Sequence, residues 1–328
     1  MNNVLVKNIR PKEIFIRRKR IGYFLIKIII AAGLILFIID RVKPKEIISA
    51  VSSANYYLII LAFTLSFFNI YFQYLKWETV CRNYLNINNK KNIFISLFYG
   101  FAAGIFTPAR IGEYFSRGLA FRGKSILHVA AATFIDKFIP LLVVSFFGGI
   151  SFIFYFHYNY LLPFYISVPL FFLLTVLALA VLHFVMEGKI LKYIPGIIKE
   201  NKKLEKILFY LEQAAKLDFN FISRMLLISS AFYFCYLIQF AVLVAAFAHS
   251  LHFLEYLWNG SLIMFTKSLI PQISFGELGI REGVSIFFYN KTGVAASAAF
   301  NASFFLFLIN LLFPSLIGMI LLYKKNDD

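Results

Sequence analysis

Residues 92–118 read NIFISLFYGFAAGIFTPARIGEYFSRG, and this stretch indicates what kind of fold the chain adopts. About fifteen apolar residues come before Pro108, whereas a helix that crosses a bilayer needs about twenty. Because proline removes a backbone donor and stops a helix, the segment predicts a half-helix or re-entrant helix rather than a complete span. The charged turn after it must then find partners in a protein-lined or water-lined cavity.

A second stretch of the same design lies in the other half of the chain. Residues 256–283 read YLWNGSLIMFTKSLIPQISFGELGIREG. In both stretches a short apolar segment ends at a proline, Pro108 or Pro271, and Gly-Glu-x-x-x-Arg follows. Short helices interrupted by proline and glycine at corresponding places in two halves are typical of a transporter binding site at a repeat interface. The sequence therefore predicts an inverted-topology internal repeat.

The composition is that of a membrane protein. Hydrophobic residues make up 60% of the 328 residues and charged residues 15%, against about 45–50% and about 25% in ordinary globular domains. The 41 Phe and 19 Tyr exceed what the interior of a soluble fold could cover. A secreted disulfide scaffold, a disordered chain and a nucleic-acid-binding domain are excluded.

Six apolar runs are long enough to cross a bilayer. They are residues 21–39, 56–75, 128–156, 161–185, 221–248 and 293–323. Charged residues rather than a small-residue cleavage site follow the first run, so we expect it to be a retained helix. With the two half-helices, 92–107 and 256–270, these runs predict an all-α polytopic membrane protein.

The basic residues set the predicted orientation. The net charge of +17 comes from lysines and arginines that cluster between apolar runs, as the positive-inside rule expects of cytoplasmic loops. We expect both termini to be cytoplasmic, the half-helices to enter from opposite faces, and Lys76 to belong to a cytoplasmic loop. The predicted parts are a basic arm (1–20), one transmembrane domain (21–323) with halves 21–185 and 221–323 joined by a cytoplasmic amphipathic linker (187–219), and a tail (324–328).

The candidate substrate-binding residues are the motif charges and two charges inside an apolar run. Arginine presents a planar donor fork that suits phosphate oxygens, and each motif glutamate should pair with the arginine four residues later. Asp136 and Lys137 lie where an ionised side chain costs about 2.5–3.5 kcal/mol, so they either line a substrate path or form a structural pair. The set is Arg110, Glu113, Arg117, Asp136, Lys137, Glu277, Arg281 and Glu282, with backbone breaks at Pro108, Gly112, Pro271, Gly276 and Gly279.

Signals for cofactor chemistry are missing from the sequence. No pair of histidines has metal-ligand spacing with a carboxylate, and no Gly-x-x-x-x-Gly-Lys-Ser/Thr loop occurs. Cys81 and Cys235 fall at different predicted depths. We therefore expect no metal site, no disulfide, no cofactor and no ATP requirement.

These motifs resemble those of the transmembrane (flippase) domain of lysylphosphatidylglycerol synthetases and its stand-alone relatives. The resemblance rests on TPARIGE at 107–113, on Pro271 with GELGIREG at 276–283, and on the chain length. It implies a multi-pass protein of the bacterial or archaeal cytoplasmic membrane that moves a modified phospholipid, or a related lipid-linked head group, between leaflets. Its partners would be phospholipids with an anionic or aminoacylated head group. Since the chain ends at Asp328, we expect no soluble synthase domain.

Non-enzymatic lipid translocation is thus the preferred hypothesis, and two others stay open. An intramembrane hydrolase of the CAAX type would need a second glutamate where Gly112 and Gly276 stand, and histidine motifs that are not found, so a general base has no evident source. An ion-coupled transporter of a small anion could use the same repeat. Lipid identity, direction, energy source and oligomeric state are not decided by the sequence, and a homo-oligomer is compatible with it.

Overall fold

The computed structural model describes residues 44–187, 218–270 and 278–327. The predicted first span, the basic arm, most of the amphipathic linker, and Pro271, Gly276 and Glu277 lie outside these residues. Within the described ranges the regular structure is entirely helical.

The helices of the described residues range in length from 6 to 34 residues. In chain order they are α1 (Pro44–Ser52), α2 (Tyr56–Asn83), α3 (Lys90–Phe106), α4 (Ile111–Ser116), α5 (Ile126–Asn159), α6 (Phe164–Glu187), α7 (Phe219–Ala248), α8 (Phe253–Leu269), α9 (Ile280–Lys291), α10 (Ala296–Phe307) and α11 (Phe313–Asp327). Single 3-10 turns flank α4 at Pro108–Arg110 and Arg117–Ala120, and a π-helical turn, Leu308–Leu312, joins α10 to α11.

Four predicted spans are helices long and apolar enough to cross a membrane. They are α2, α5, α7 and the continuous helix Ala296–Lys324. The run at 161–185 forms α6, in which Phe164–Ala180 is a shorter apolar stretch. The prediction of an all-α polytopic membrane protein is confirmed. One boundary was wrong: the run that ended at residue 75 continues as helix to Asn83, because the polar residues after it pack inside the protein.

The two short apolar segments are helices of equal length. Helices α3 and α8 each have 17 residues, which is about 25 Å at 1.5 Å per residue and short of the roughly 30 Å hydrocarbon core. Thr107 (φ −113°, ψ 144°) and Ile270 (φ −90°, ψ 127°), which follow these helices, are both extended. This is the conformation that a residue before a proline prefers, so the proline ends both helices as predicted.

Helices of the two halves pack against each other in a reciprocal pattern. Helix α2 of the first half packs along α7 of the second. Helix α3 packs on α11, and its counterpart α8 packs on α5. Ser315 Oγ donates to the Phe101 carbonyl at 3.0 Å, which ties α11 to α3. These contacts attach α3, which precedes the turn of the first motif, to a helix of the other half.

Candidate functional site

The turn after α3 has an unusual backbone. Pro108–Arg110 form one 3-10 turn in which Ala109 (φ 48°) and Arg110 (φ 54°) both adopt the left-handed conformation. For residues with a Cβ atom this conformation costs about 1–2 kcal/mol each. Such strain persists where surrounding contacts impose it, commonly at ligand-binding sites.

Thr107 and Gly112 impose this turn. Thr107 Oγ1 accepts a hydrogen bond from the Gly112 amide at 2.8 Å and donates one to the Ala103 carbonyl at 3.0 Å. A Cβ atom at Gly112 would lie 2.5 Å from that same carbonyl oxygen. Glycine is therefore required here, and it lets α4 approach α3 with Glu113 facing inward.

Glu113 is fully buried and contacts three cations. Its Oε1 lies 2.5 Å from Arg117 Nη2 and 2.7 Å from Lys137 Nζ, and its Oε2 lies 3.1 Å from Arg110 Nη2. The predicted pairing of Glu113 with Arg117 is confirmed. Glu113 thus joins both motif arginines to a lysine of α5.

Arg117 connects this carboxylate to a second one. Its Nη1 lies 2.9 Å from Asp136 Oδ2, and its guanidinium lies over the Trp77 ring, 4.3 Å from the centroid. A Cβ atom at Gly100 would lie 2.9 Å from Arg117 Nε, so the absence of a side chain there makes room for the guanidinium. With 1% of its side chain exposed, Arg117 is held by protein groups on several sides.

Asp136 and Lys137 do not pair with each other. Asp136 binds Arg117 and also lies 3.7 Å from Lys76 Nζ, whereas Lys137 binds Glu113. Both neighbours therefore join one network, which we call the charge cluster. It consists of Lys76, Arg110, Glu113, Arg117, Asp136 and Lys137.

Lys76 corrects the sequence-based assignment to a cytoplasmic loop. Its side chain is 4% exposed, and its ammonium lies 5.2 Å from the Phe232 ring centre. The sequence carries a signal that was missed, because polar residues recur every three to four positions along α2 and mark its protein-facing stripe. They are Ser66, Asn69, Gln73 and Lys76. Trp77, whose ring lies against the Arg117 guanidinium, was also not predicted to belong to the site.

The charge cluster is not electrically balanced. Four cationic and two acidic side chains give it a formal excess of two positive charges. Arg110 and Lys137 are the partly open members, with 22% and 30% of their side chains exposed. Within the described residues, the buried Nε of Arg110 has no hydrogen-bond partner. The cluster can therefore attract an anion through these two side chains.

The second motif forms a smaller polar group at the start of α9. Gly279 (φ 87°) precedes the helix, and its amide donates to Glu282 Oε2 at 2.7 Å. Arg281 Nη2 lies 2.9 Å from Glu282 Oε1, and Arg281 Nε donates to Ser303 Oγ at 3.0 Å. Glu277, the predicted partner of Arg281, lies outside the described residues. Ser303 was not anticipated from the sequence.

Apolar side chains of α3, α10 and the segment before α9 pack beside the described part of the second motif. Ile105, at the end of α3, packs with Phe307, over which Arg281 lies at 5.6 Å. The buried members of this apolar group are Ile105, Leu278, Phe307 and Leu311. The structure thus joins the first-motif charges with Asp136 and Lys137, and it brings Arg281 together with Glu282 and Ser303.

Comparison with known proteins gives one family match. A family model described as the lysylphosphatidylglycerol synthase TM region matches residues 24–318, which include both motifs and the whole charge cluster. No curated protein matches the chain. Among the described residues, no group of three or more His, Cys, Asp or Glu side chains could hold a metal ion.

Proposed function

The chain belongs to the lysylphosphatidylglycerol synthase TM region family, and from this premise we propose that it moves a phospholipid or lipid-linked head group between membrane leaflets without converting it chemically. The family connects the chain with membrane phospholipids. The observation that carries the proposal is the excess of two positive charges in the charge cluster.

Arg110 and Lys137 are the side chains that contact the phosphate of the head group. Both are partly exposed, and both are held at one end by the buried Glu113. The guanidinium of Arg110 can donate two parallel hydrogen bonds to a phosphate, and the ammonium of Lys137, which binds the same carboxylate, adds a point positive charge. The acyl chains stay in the surrounding lipid, since apolar side chains next to the cluster residues along the chain, such as Ile111, Phe115 and Phe134, are exposed.

The other members of the charge cluster hold these two in position. Arg117 and Asp136 are 1% and 2% exposed and bind each other, so their charges are used inside the protein. Removing one of them would leave its partner buried with one counter-ion fewer, because Arg117 would keep only Glu113 and Asp136 would keep only Lys76. We therefore assign Arg117 a positioning role beside the ligand-contacting role of Arg110.

The reciprocal packing supports an inverted repeat. An axis that relates the halves would pair α2 with its counterpart α7, and would make α3 on α11 equivalent to α8 on α5. The equal lengths of α3 and α8, both ended by a proline, fit the same relation. In this arrangement Arg281 and Glu282 lie on the path of the head group from the other leaflet.

The experiment is translocation of head-group-labelled phosphatidylglycerol, lysylphosphatidylglycerol and phosphatidylcholine in proteoliposomes. The protein is compared with the Arg110→Gln, Lys137→Gln double variant. Lys90→Gln with Lys91→Gln is the matched control, because it removes the same charge from exposed positions. We expect translocation that depends on the head group, is lost in the first double variant and is kept in the second.

A transporter of a small anion is the competing function, since the excess charge would also attract a soluble anion. Uptake of inorganic phosphate or another soluble anion into the same vesicles, saturable and sensitive to a proton gradient, would favour it. Lipid movement that is the same in the Arg110→Gln, Lys137→Gln variant and the unaltered protein would refute the proposed site.

A further inference from the structure

A second candidate site lies at the other end of α5, away from the charge cluster. A cavity of about 420 Å³ opens between the end of α5, the end of α8 and one face of α9. Its wall is largely aromatic, with Phe152, Tyr155, Phe156, Tyr160, Phe287 and Phe288 among its lining residues. The volume is in the range of small-ligand sites.

Lys291 lies beside this cavity and contacts three of the aromatic residues that line it. Its Nζ donates to Tyr155 Oη at 2.7 Å and lies 4.7 Å from the Phe287 ring centre and 5.6 Å from that of Tyr160. These three aromatic residues all line the cavity, so the ammonium is fixed beside it while the lysine stays exposed. The hydrogen bond to Tyr155 raises the pKa of Lys291 above its usual value.

The cavity lies about one hydrocarbon-core thickness along α5 from the charge cluster. Lys137 and Tyr155 are eighteen positions apart on α5, which is about 27 Å at 1.5 Å per residue. That separation is close to the roughly 30 Å of a hydrocarbon core. Tyr158 and Trp258 accompany Tyr155 at this end, as expected for the aromatic belt of a membrane interface.

One polar atom stands out in the apolar wall. Thr266 Oγ1 is buried, lines the cavity and has no hydrogen-bond partner among the described residues. Buried polar atoms are nearly always hydrogen-bonded. The cavity therefore combines a hydroxyl and an apolar aromatic surface with an ammonium beside it.

We infer that this cavity binds an anionic phospholipid of the second leaflet, with its phosphate at Lys291, an ester group near Thr266 and one acyl chain along the aromatic wall. Charge complementarity selects this occupant: a cation is repelled by the ammonium that already occupies the aromatic cage, and a free phosphate leaves the apolar wall without a ligand. The inference does not depend on translocation through the charge cluster.

The two tryptophans of the chain provide separate reporters. Trp258 lies 6.5 Å from Tyr155, between ring centres, whereas Trp77 belongs to the surroundings of Arg117. In Trp77→Phe protein in nanodiscs, Trp258 fluorescence is quenched by phosphatidic acid or phosphatidylcholine brominated near the head-group end of the acyl chain. We expect phosphatidic acid to reach half-maximal quenching at a mole fraction about fivefold lower than phosphatidylcholine does. The attraction between one lysine and an anionic lipid surface changes the affinity by about this factor.

Variants in the same background decide the outcome. Lys291→Gln should abolish the preference for the anionic lipid, Lys291→Arg should keep it, and Val284→Phe, which fills the cavity, should weaken quenching by both lipids. Arg110→Gln with Lys137→Gln should leave Trp258 quenching unchanged, which separates this site from the charge cluster. Equal quenching by both lipids in folded protein, whether or not Lys291 is present, would overturn the inference.

Discussion

The ammonium of Lys76 lies 3.7 Å from the carboxylate of Asp136, although sixty positions separate them in the chain. Both side chains are buried, and Asp136 is shared with Arg117. Two cations from different parts of the chain thus share one carboxylate of α5. Asp136 therefore connects its own helix, α5, to α2 and to the turn that follows α4.

Asp136→Asn is expected to be among the most destabilising single changes in the described part of the chain. It removes the carboxylate that pairs with Lys76 and one of the two that pair with Arg117, but it keeps the side-chain shape. Breaking a buried pair typically costs about 3–5 kcal/mol. The measurement is the midpoint of thermal unfolding in detergent, with Asp218→Asn, at an exposed position, as control. Equal midpoints for the two variants would show that the Asp136 pairs contribute little.

Gly112→Ala tests the close approach of α4 to α3. The new methyl group would lie 2.5 Å from the Ala103 carbonyl oxygen and 2.8 Å from Thr107 Oγ1, so the turn must shift at a cost of about 1–3 kcal/mol. Gly118→Ala is the matched control, because its Cβ would meet nothing nearer than 3.5 Å. We expect the first variant to lower the unfolding midpoint and to weaken anionic-lipid binding, and the second to change neither. The reverse order would contradict the packing described here.

The sequence predicted the two half-helices and their charged turns because proline and hydrophobic length act locally. It predicted the pairing of Glu113 with Arg117 for the same reason, since residues four apart on a helix are neighbours. It could not predict that Arg117 also binds Asp136, which depends on how α4 meets α5. Lys76 was assigned to a loop because the span was ended where its hydrophobic residues end. The regular spacing of polar residues along α2 would have indicated that the helix continues.

Glu282 is expected to stabilise the start of α9. Its carboxylate accepts from the Gly279 amide at 2.7 Å and lies 2.9 Å from Arg281 Nη2. Glu282→Gln keeps a hydrogen-bond acceptor but removes the charge, so we expect a loss of about 1–2 kcal/mol in unfolding free energy. Ser303→Ala, which removes a neutral partner of Arg281, should cost about 1 kcal/mol or less. Denaturant titration of both variants gives the two unfolding free energies. A larger loss of unfolding free energy for Ser303→Ala than for Glu282→Gln would contradict the stabilising role assigned to Glu282.

Lys76→Met separates the stability of the charge cluster from its attraction for anions. Asp136 keeps Arg117 as a partner in this variant, and the formal excess falls from two positive charges to one. Because a methionine of similar length carries no desolvation cost, unfolding should be nearly unchanged or shifted to a higher temperature. Anionic-lipid affinity should nevertheless fall by a few-fold, since a buried charge acts over several ångströms at low dielectric. Both quantities come from one experiment, thermal unfolding at increasing phosphatidylglycerol with Lys91→Met as control, because a ligand raises the midpoint according to its affinity. If the lipid raised the midpoint of Lys76→Met as much as that of the control, the excess charge would not be what binds the head group, and the contacts of Arg110 and Lys137 alone would have to account for it.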